Sequence, residues 1–316
     1  MSQQTLGQAR VVDPILSDIA RGYKQADLVA RTLFPFVPVG AYGGQVLEFG
    51  KEAFRLYNSR RAPGTATKRV QFGYAGKPYA IVPSSLEAVV PRELQRDASQ
   101  VPKIDLAQRS VNTVLKVVNL EHEYNCAQIA RNAANYDAGH KVALAGAARW
   151  TSDTSDPVSD TETGREAIRG SIGMYPNSAV ISARAFKALK TNPSILDRIK
   201  YTGGNATPAK VTLQAIADLF EIPNLVMGAA MVATGQNDDF GDVWGNDFVM
   251  AYSNVSGTPS AEEPGFAYTY LIEGMPAVEQ PYFDNNTKSW VYPVSFDNTP
   301  VLSGMSAGYF IQDAGA

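Results

Sequence analysis

The sequence predicts an α+β fold, and three stretches of its 316 residues carry that prediction. Over residues 176–202 a short apolar strand ending at Ser182 runs straight into a helix that Ser182 can cap. Over residues 102–134 apolar side chains at Ile104, Ala107, Val111, Val114 and Val118 repeat at three–four spacing, the pattern of one long helix. Over residues 46–82 two apolar runs flank a turn at Pro63-Gly64, the pattern of a long β-hairpin.

The elements follow in chain order. Residues 1–45 read as an extended arm with one helix, whose stripe is Ile15, Leu16, Ile19, Ala20, Tyr23 and Leu28. Leu33-Phe34-Pro35-Phe36-Val37-Pro38-Val39 cannot be helical because of its two prolines. An apolar extended segment of this kind needs another surface to cover it, and Leu33, Phe34 and Phe36 are the expected contacts with a neighbouring copy.

The hairpin runs out through Val46, Leu47, Phe49, Phe54, Leu56 and Tyr57 and returns through Val70, Phe72, Tyr74, Tyr79 and Ile81. Its far end is basic, with Arg55, Arg60, Arg61, Lys68 and Arg69. An isolated two-stranded ribbon is only marginally stable in water, so this one is expected to lie on another subunit and to make charged contacts there.

Pro102 suits the first turn of the long helix, which at 1.5 Å per residue would span roughly 45–50 Å. That suits a spine across a flat, plate-like subunit. Residues 151–164 read as a polar linker between lobes. Beyond it strands and helices alternate. Thr212 caps a helix at Leu213 to Phe220, which Pro223 stops, and Leu225 to Gly228 and Phe248 to Tyr252 are short buried strands. Strands return at 289–296 and 300–310.

Hydrophobic residues make up 45% of the chain and charged ones 19%, enough apolar material for one large domain or two lobes. The net charge of −3 argues against a general nucleic-acid binder, which would carry a basic face, and is compatible with the inner wall of a DNA container. The single cysteine, Cys126, permits no internal disulfide and reads as a buried packing thiol. The first residues lack the pattern of a signal peptide, and no apolar run is long enough to cross a bilayer.

No catalytic or metal set emerges. Gly304-Met305-Ser306-Ala307-Gly308 matches the nucleophile-elbow spacing, but no histidine follows it, whereas a hydrolase of that class needs one there. His122, within Glu121-His122-Glu123, and His140 lack the i, i+4 pairing of a zinc helix, and His122 reads as a surface or interface residue. Asp153, Asp156, Asp160 and Glu162 lack EF-hand spacing. No cofactor is expected.

Several local motifs, in this order, resemble one family. They are Leu33-Phe34-Pro35, Arg61-Ala62-Pro63-Gly64, Arg149-Trp150, Ser155-Asp156-Pro157, Pro176-Asn177, Asp197 to Thr202, Leu225 to Gly228, Asp242-Val243-Trp244-Gly245 and Gly265 to Tyr270. Together the chain resembles HK97-fold major capsid proteins of tailed double-stranded DNA bacteriophages, most strongly over about 102–275. The resemblance implies an N-terminal arm (1–45), an extended loop (46–85), a peripheral domain (86–150 and 275–316) with the spine helix, a linker (151–164) and an axial domain (165–274).

It also implies a virion protein, assembled in the host cytoplasm, that joins itself in hexamers and pentamers around double-stranded DNA without reading its sequence. A scaffolding protein, a portal protein and decoration proteins would be its partners, with no membrane and no enzymatic activity. The rival readings are the shell of an encapsulin-like nanocompartment of the same fold and, in another class, a serine hydrolase using Ser306.

Overall fold

The computed structural model describes residues 28–48, 60, 75–98, 106–202, 211–233, 240–254 and 265–316. The predicted N-terminal helix and the outer part of the hairpin lie outside these residues. Strand β1 (Phe36–Val39) follows a 3₁₀ turn at Ala30–Thr32. Strands β2 (Gly43–Glu48) and β3 (Ala75–Ala80) pair antiparallel from Gly43↔Ala80 to Glu48↔Ala75, which is the root of the predicted hairpin. Strand β4 (Ser85–Pro91) leads into helix α1 (Arg92–Ala98).

Helix α2 (Leu106–Ala130) is the predicted spine, and its 25 residues give a length of about 37 Å. It is shorter than expected at its C-terminal end. There the Asn132 side chain accepts from the Ala134 amide and starts a 3₁₀ turn in place of another helical one. Its buried face runs Val111, Val114, Leu115, Val118, His122, Glu123, Cys126, Ala127 and Ala130. The first half packs with Val90, Tyr292, Val294 and Phe296 in one core, and the second half enters a larger core with Phe34, Trp150, Phe248 and Phe310.

Residues 157–164, expected as linker, are helical. Helix α3 (Pro157–Ile172) begins where the Asp156 carboxylate accepts from the Val158 and Ser159 amides, with Pro157 at the first position, and ends at left-handed Gly173. Its polar run misleads because only one face is buried, through Val158, Thr161, Gly164, Arg165, Ile168 and Ile172. Only the turns before Asp156 are irregular.

The remaining chain follows the predicted alternation closely. Strand β5 (Lys141–Ala143) precedes α3. Strand β6 (Ser178–Ser182) passes into α4 (Ala183–Thr191) through the Ser182 cap on Ala185, and Pro193 opens α5 (Pro193–Thr202). Thr212 caps α6 (Leu213–Phe220) by accepting from the Ala215 amide. Strand β7 (Asn224–Gly228) precedes a short ribbon of β8 (Met231–Ala233) and β9 (Phe240–Asp242), and β10 (Phe248–Ala251) follows.

After β11 (Ala267–Ile272) come β12 (Ala277–Val278), β13 (Tyr282–Asp284) and β14 (Ser289–Ser295). The single strand predicted over 300–310 is two, β15 (Asn298–Leu302) and β16 (Gly308–Gln312), separated by a 3₁₀ turn at Met305–Ala307. The turn carries the chain from one sheet to another.

A five-stranded sheet, β5-β16-β10-β6-β7, holds the larger core. A three-stranded sheet, β1-β11-β15, lies beside a sheet in which β14 is flanked by β4 on one edge and by β12 and β13 on the other.

Gly164 faces Tyr309 across the α3–β16 contact, where a Cβ would sit 2.7 Å from the ring. Helix propensity favours Gly164→Ala by about 1 kcal/mol, but overpacking against a fixed ring costs about 1–3 kcal/mol. The steric term is the larger. The variant is expected to lose about 1 kcal/mol, read as a lower denaturation midpoint.

Candidate assembly surface

The segments expected to meet a neighbouring copy are placed differently from one another. Leu33 and Phe34 are 0% exposed in this chain's own core, where Phe34 meets Phe266 edge-on. Phe36 is half-buried against His122 and Phe296. The covering surface expected from another subunit is therefore supplied by the chain itself, because β1 pairs in parallel with β11 and inserts its flanking side chains beside α2. Glu123 secures this docking. It is 1% exposed and accepts from the Val29 amide (3.1 Å), the Ala30 amide (2.8 Å) and the Trp244 indole (2.6 Å). Burial still pushes its carboxyl above the usual range, against these donors and the nearby Arg31 charge.

Two side chains of the body, Asp297 and Tyr270, meet the hairpin root. Asp297, 5% exposed where β14 passes to β15, accepts from the Tyr42 hydroxyl before β2 and from the Ser84 amide after β3, both at 2.8 Å. Tyr79 stacks on Tyr270 with ring centroids 4.2 Å apart. Opposite Tyr79 stands Gly44, where a Cβ would come within 2.8 Å of that ring, so the strand pairing there needs glycine. The stack buries the Tyr270 hydroxyl without a hydrogen-bond partner. Such an orphan costs about 1–3 kcal/mol, enough to cancel the roughly 0.5–1.5 kcal/mol that an aromatic pair contributes. The carboxylate is the stronger of the two fixings. Of the basic residues at the far end, Arg60 is exposed, while Arg55, Arg61, Lys68 and Arg69 lie outside the described residues.

A surface that the sequence reading missed is the outer face of the β4–β14–β13 sheet. Register puts Val89, Val291 and Tyr282 in one row and Glu87 and Pro293 in the next, where Glu279 also bonds the β14 backbone. Val89 is 56% exposed and Tyr282 47%. Glu87, Glu279 and Asp284 edge this apolar strip with negative charge. The alternation of β4 is its sequence signal: Ala88 and Val90 turn inward, and Glu87 and Val89 turn out.

The chemical candidates resolve into structural roles. Ser306 lies in the 3₁₀ turn between two strands, on a cleft of about 440 Å³ with Asp137, Val301 and Met305, and not at the strand-to-helix turn that an elbow requires. His140 bonds the Gly308 carbonyl (2.9 Å) and Ser171 (2.8 Å) through its two ring nitrogens. Asp156 caps α3, Asp160 accepts from the Trp150 indole and Glu162 pairs with Arg165. Among the described residues no group of three His, Cys, Asp or Glu could hold a metal, and no helix is long and apolar enough to cross a membrane.

His122, expected at the surface, is buried. With Thr269 donating to the Phe34 carbonyl (3.4 Å), the His122 Nε2–H donates to the Thr269 hydroxyl oxygen (3.0 Å), and the Cys126 sulfur stands 3.3 Å away. Burial, aided by the Arg31 charge, lowers its pKa from 6.5 to about 3, so the ring is neutral. Burial pushes the Cys126 thiol well up, as expected of a packing cysteine.

An arm, a hairpin root, a spine helix and a lobe built on a five-stranded sheet define an HK97-type capsid fold. The mature capsid protein of bacteriophage PhiM1 shares it with a TM-score of 0.53 at 13% identity, over 92% of this chain and 88% of that one. A crystal structure of a phage-related protein from Bordetella bronchiseptica RB50 matches with a TM-score of 0.84 and 58% identity, over 98% and 99% of the two chains. The sequence model described as Phage major capsid protein E matches residues 104–253. The major capsid protein of Burkholderia phage BcepMu is 34% identical over 311 residues, 97% of each chain. The chain belongs to the phage major capsid protein family.

The buried histidine makes stability pH-dependent. Its contribution is complete above pH 6.5 and is lost as pH falls toward 3, because only the unfolded chain takes up the proton. Glu123 acts in the opposite sense and is common to both proteins compared. The stability difference between wild type and His122→Gln is expected to shrink by about 1.4 kcal/mol per pH unit below that point. Parallel denaturation curves at pH 7 and pH 5 would contradict this.

Proposed function

We propose that this capsid protein assembles with itself into hexamers and pentamers that close an icosahedral phage head around double-stranded DNA. The observation that carries the reading is the 34% identity, spanning 97% of the chain, to the BcepMu major capsid protein. The same identity favours the phage head over a nanocompartment shell. Within this reading residues 1–45 act as the arm, 46–85 as the extended loop, 86–150 with 275–316 as the peripheral domain and 165–274 as the axial domain. Assembly takes place in the host cytoplasm, with scaffolding, portal and decoration proteins as partners, and the chain performs no catalysis. A net charge of −3 suits a wall that encloses DNA without gripping its phosphates.

The hairpin lies on a neighbouring subunit. Its basic residues, Arg55, Arg60, Arg61, Lys68 and Arg69, meet the acid-edged apolar strip of Val89, Tyr282, Glu87, Glu279 and Asp284. Opposite charge and a ribbon too small to be stable alone support this pairing.

The test compares the wild type with Arg60→Glu/Arg61→Glu. Wild-type protein, expressed alone or with its scaffold, is expected to give capsomers and closed shells by native mass measurement and negative-stain microscopy. Losing partners of part-buried charge pairs costs about 2–5 kcal/mol each, so the double variant is expected to stay folded and form no shells. A stable wild-type monomer at micromolar concentration, with and without scaffold, would overturn the assembly reading, and normal shells from the variant would overturn the hairpin contact.

A further inference from the structure

We propose that Asp297 is a positioning residue, whose carboxylate sets the direction in which the hairpin leaves the body of the subunit. The inference rests on the reading that the hairpin contacts a neighbour, and adds which residue aims it.

Three sheets meet at Asp297. It follows the last residues of β14, its own carbonyl accepts from the Ile272 amide at the end of β11, and it precedes β15. The two legs of the hairpin enter and leave on either side of it. One carboxylate oxygen takes the Tyr42 hydroxyl, one residue before β2, and the other takes the Ser84 amide, four residues after β3. Because the two oxygens are rigidly joined, the legs are held at a fixed separation and a fixed angle to the body. Among the described residues, further contacts repeat the connection on the trailing leg: Thr299 donates to the Ala80 carbonyl, Val82 bridges to Asn298 and the Phe296 amide donates to the Ser84 carbonyl. Among the described residues, the side-chain contact from this corner to the leading leg is the Tyr42–Asp297 bond. Tyr42 is itself 48% exposed, so it contributes little burial and its hydroxyl serves chiefly to reach the carboxylate.

The Tyr79–Tyr270 stack cannot replace the clamp. It leaves the Tyr270 hydroxyl buried without a hydrogen-bond partner among the described residues, a cost that offsets what the stack contributes. With the carboxylate gone, the root would therefore swing between stacked and lifted positions. On the proposed reading, a change of angle at the root displaces the contact that the hairpin makes with the next subunit.

The test places spin labels at Gln45→Cys on β2 and Val117→Cys on the exposed face of α2, in chains diluted with excess unlabelled protein, and reads the intrachain distance distribution alongside shell yield. Cys126 is fully buried and takes no label. The otherwise wild-type chain is expected to give one narrow distance. Asp297→Ala is expected to broaden it and lower shell yield at least tenfold, while Asp297→Asn, which keeps an acceptor for Ser84 and a donor for the Tyr42 oxygen, restores both. Tyr42→Phe, an exposed and mild change, is expected to broaden the distance too, and decides the matter if Asp297→Ala does not fold. Unchanged distances in Tyr42→Phe and in folded Asp297→Ala, or undiminished shell yield from Asp297→Ala, would overturn the proposal. Failure of the wild type to assemble would instead count against the capsid reading, and the distances would still judge the clamp.

Discussion

Glu123 is the constraint on which the rest of the subunit depends. It stands more than halfway along α2, at the point where the helix passes from the smaller core to the larger one. A buried carboxylate is tolerated only when its oxygens are satisfied, and here three N–H donors from separate parts of the chain satisfy them. Two are the Val29 and Ala30 amides just before β1, and one is the Trp244 indole in the larger core. Moving any of these relative to α2 would leave a buried carboxyl oxygen without its donor. His122 does the neighbouring task with a neutral ring, joining α2 to β11 through Thr269 and meeting Phe36 of β1.

This arrangement separates what is fixed in the subunit from what is offered to others. The described part of the arm is spent inside, with Leu33 and Phe34 fully covered. Among the described residues, the hairpin root meets the body at Asp297, at the Tyr79–Tyr270 stack and along the trailing leg. The outer face of the β4–β14 sheet keeps Val89 and Tyr282 in solvent between carboxylates. On the proposed reading, the hairpin and this sheet face would be the two halves of one contact, so that each copy both gives and receives it.

Much of this was legible in the sequence, and the failures have physical causes. Caps announced themselves: Ser182 and Thr212 each stand where the residue type demands. The helix at 157–172 was hidden because its Asp-Pro start looks like a turn and its solvent face is polar, although Val158, Ile168 and Ile172 already marked a helical stripe. His122 was misread because a titratable side chain flanked by glutamates usually means surface. The i, i+4 spacing of Val118, His122 and Cys126 was the signal that they continue the buried face. The outer sheet face depends on pairing between β4 and β14, some two hundred residues apart, and no local pattern shows that register. The family resemblance succeeded where single residues did not, because the order of weak motifs carries information that no one of them holds.

The most direct test of the Glu123 account is amide hydrogen exchange on the Glu123→Gln protein. The isosteric amide keeps one acceptor but turns a donor toward donors. The account predicts exchange at Val29 and Ala30 faster by at least tenfold and a stability loss of about 3 kcal/mol, with protection in α4 and β6 retained while the protein is folded. Unchanged protection at Val29 and Ala30, with unchanged stability, would show that the arm is held by apolar contact alone and would contradict it.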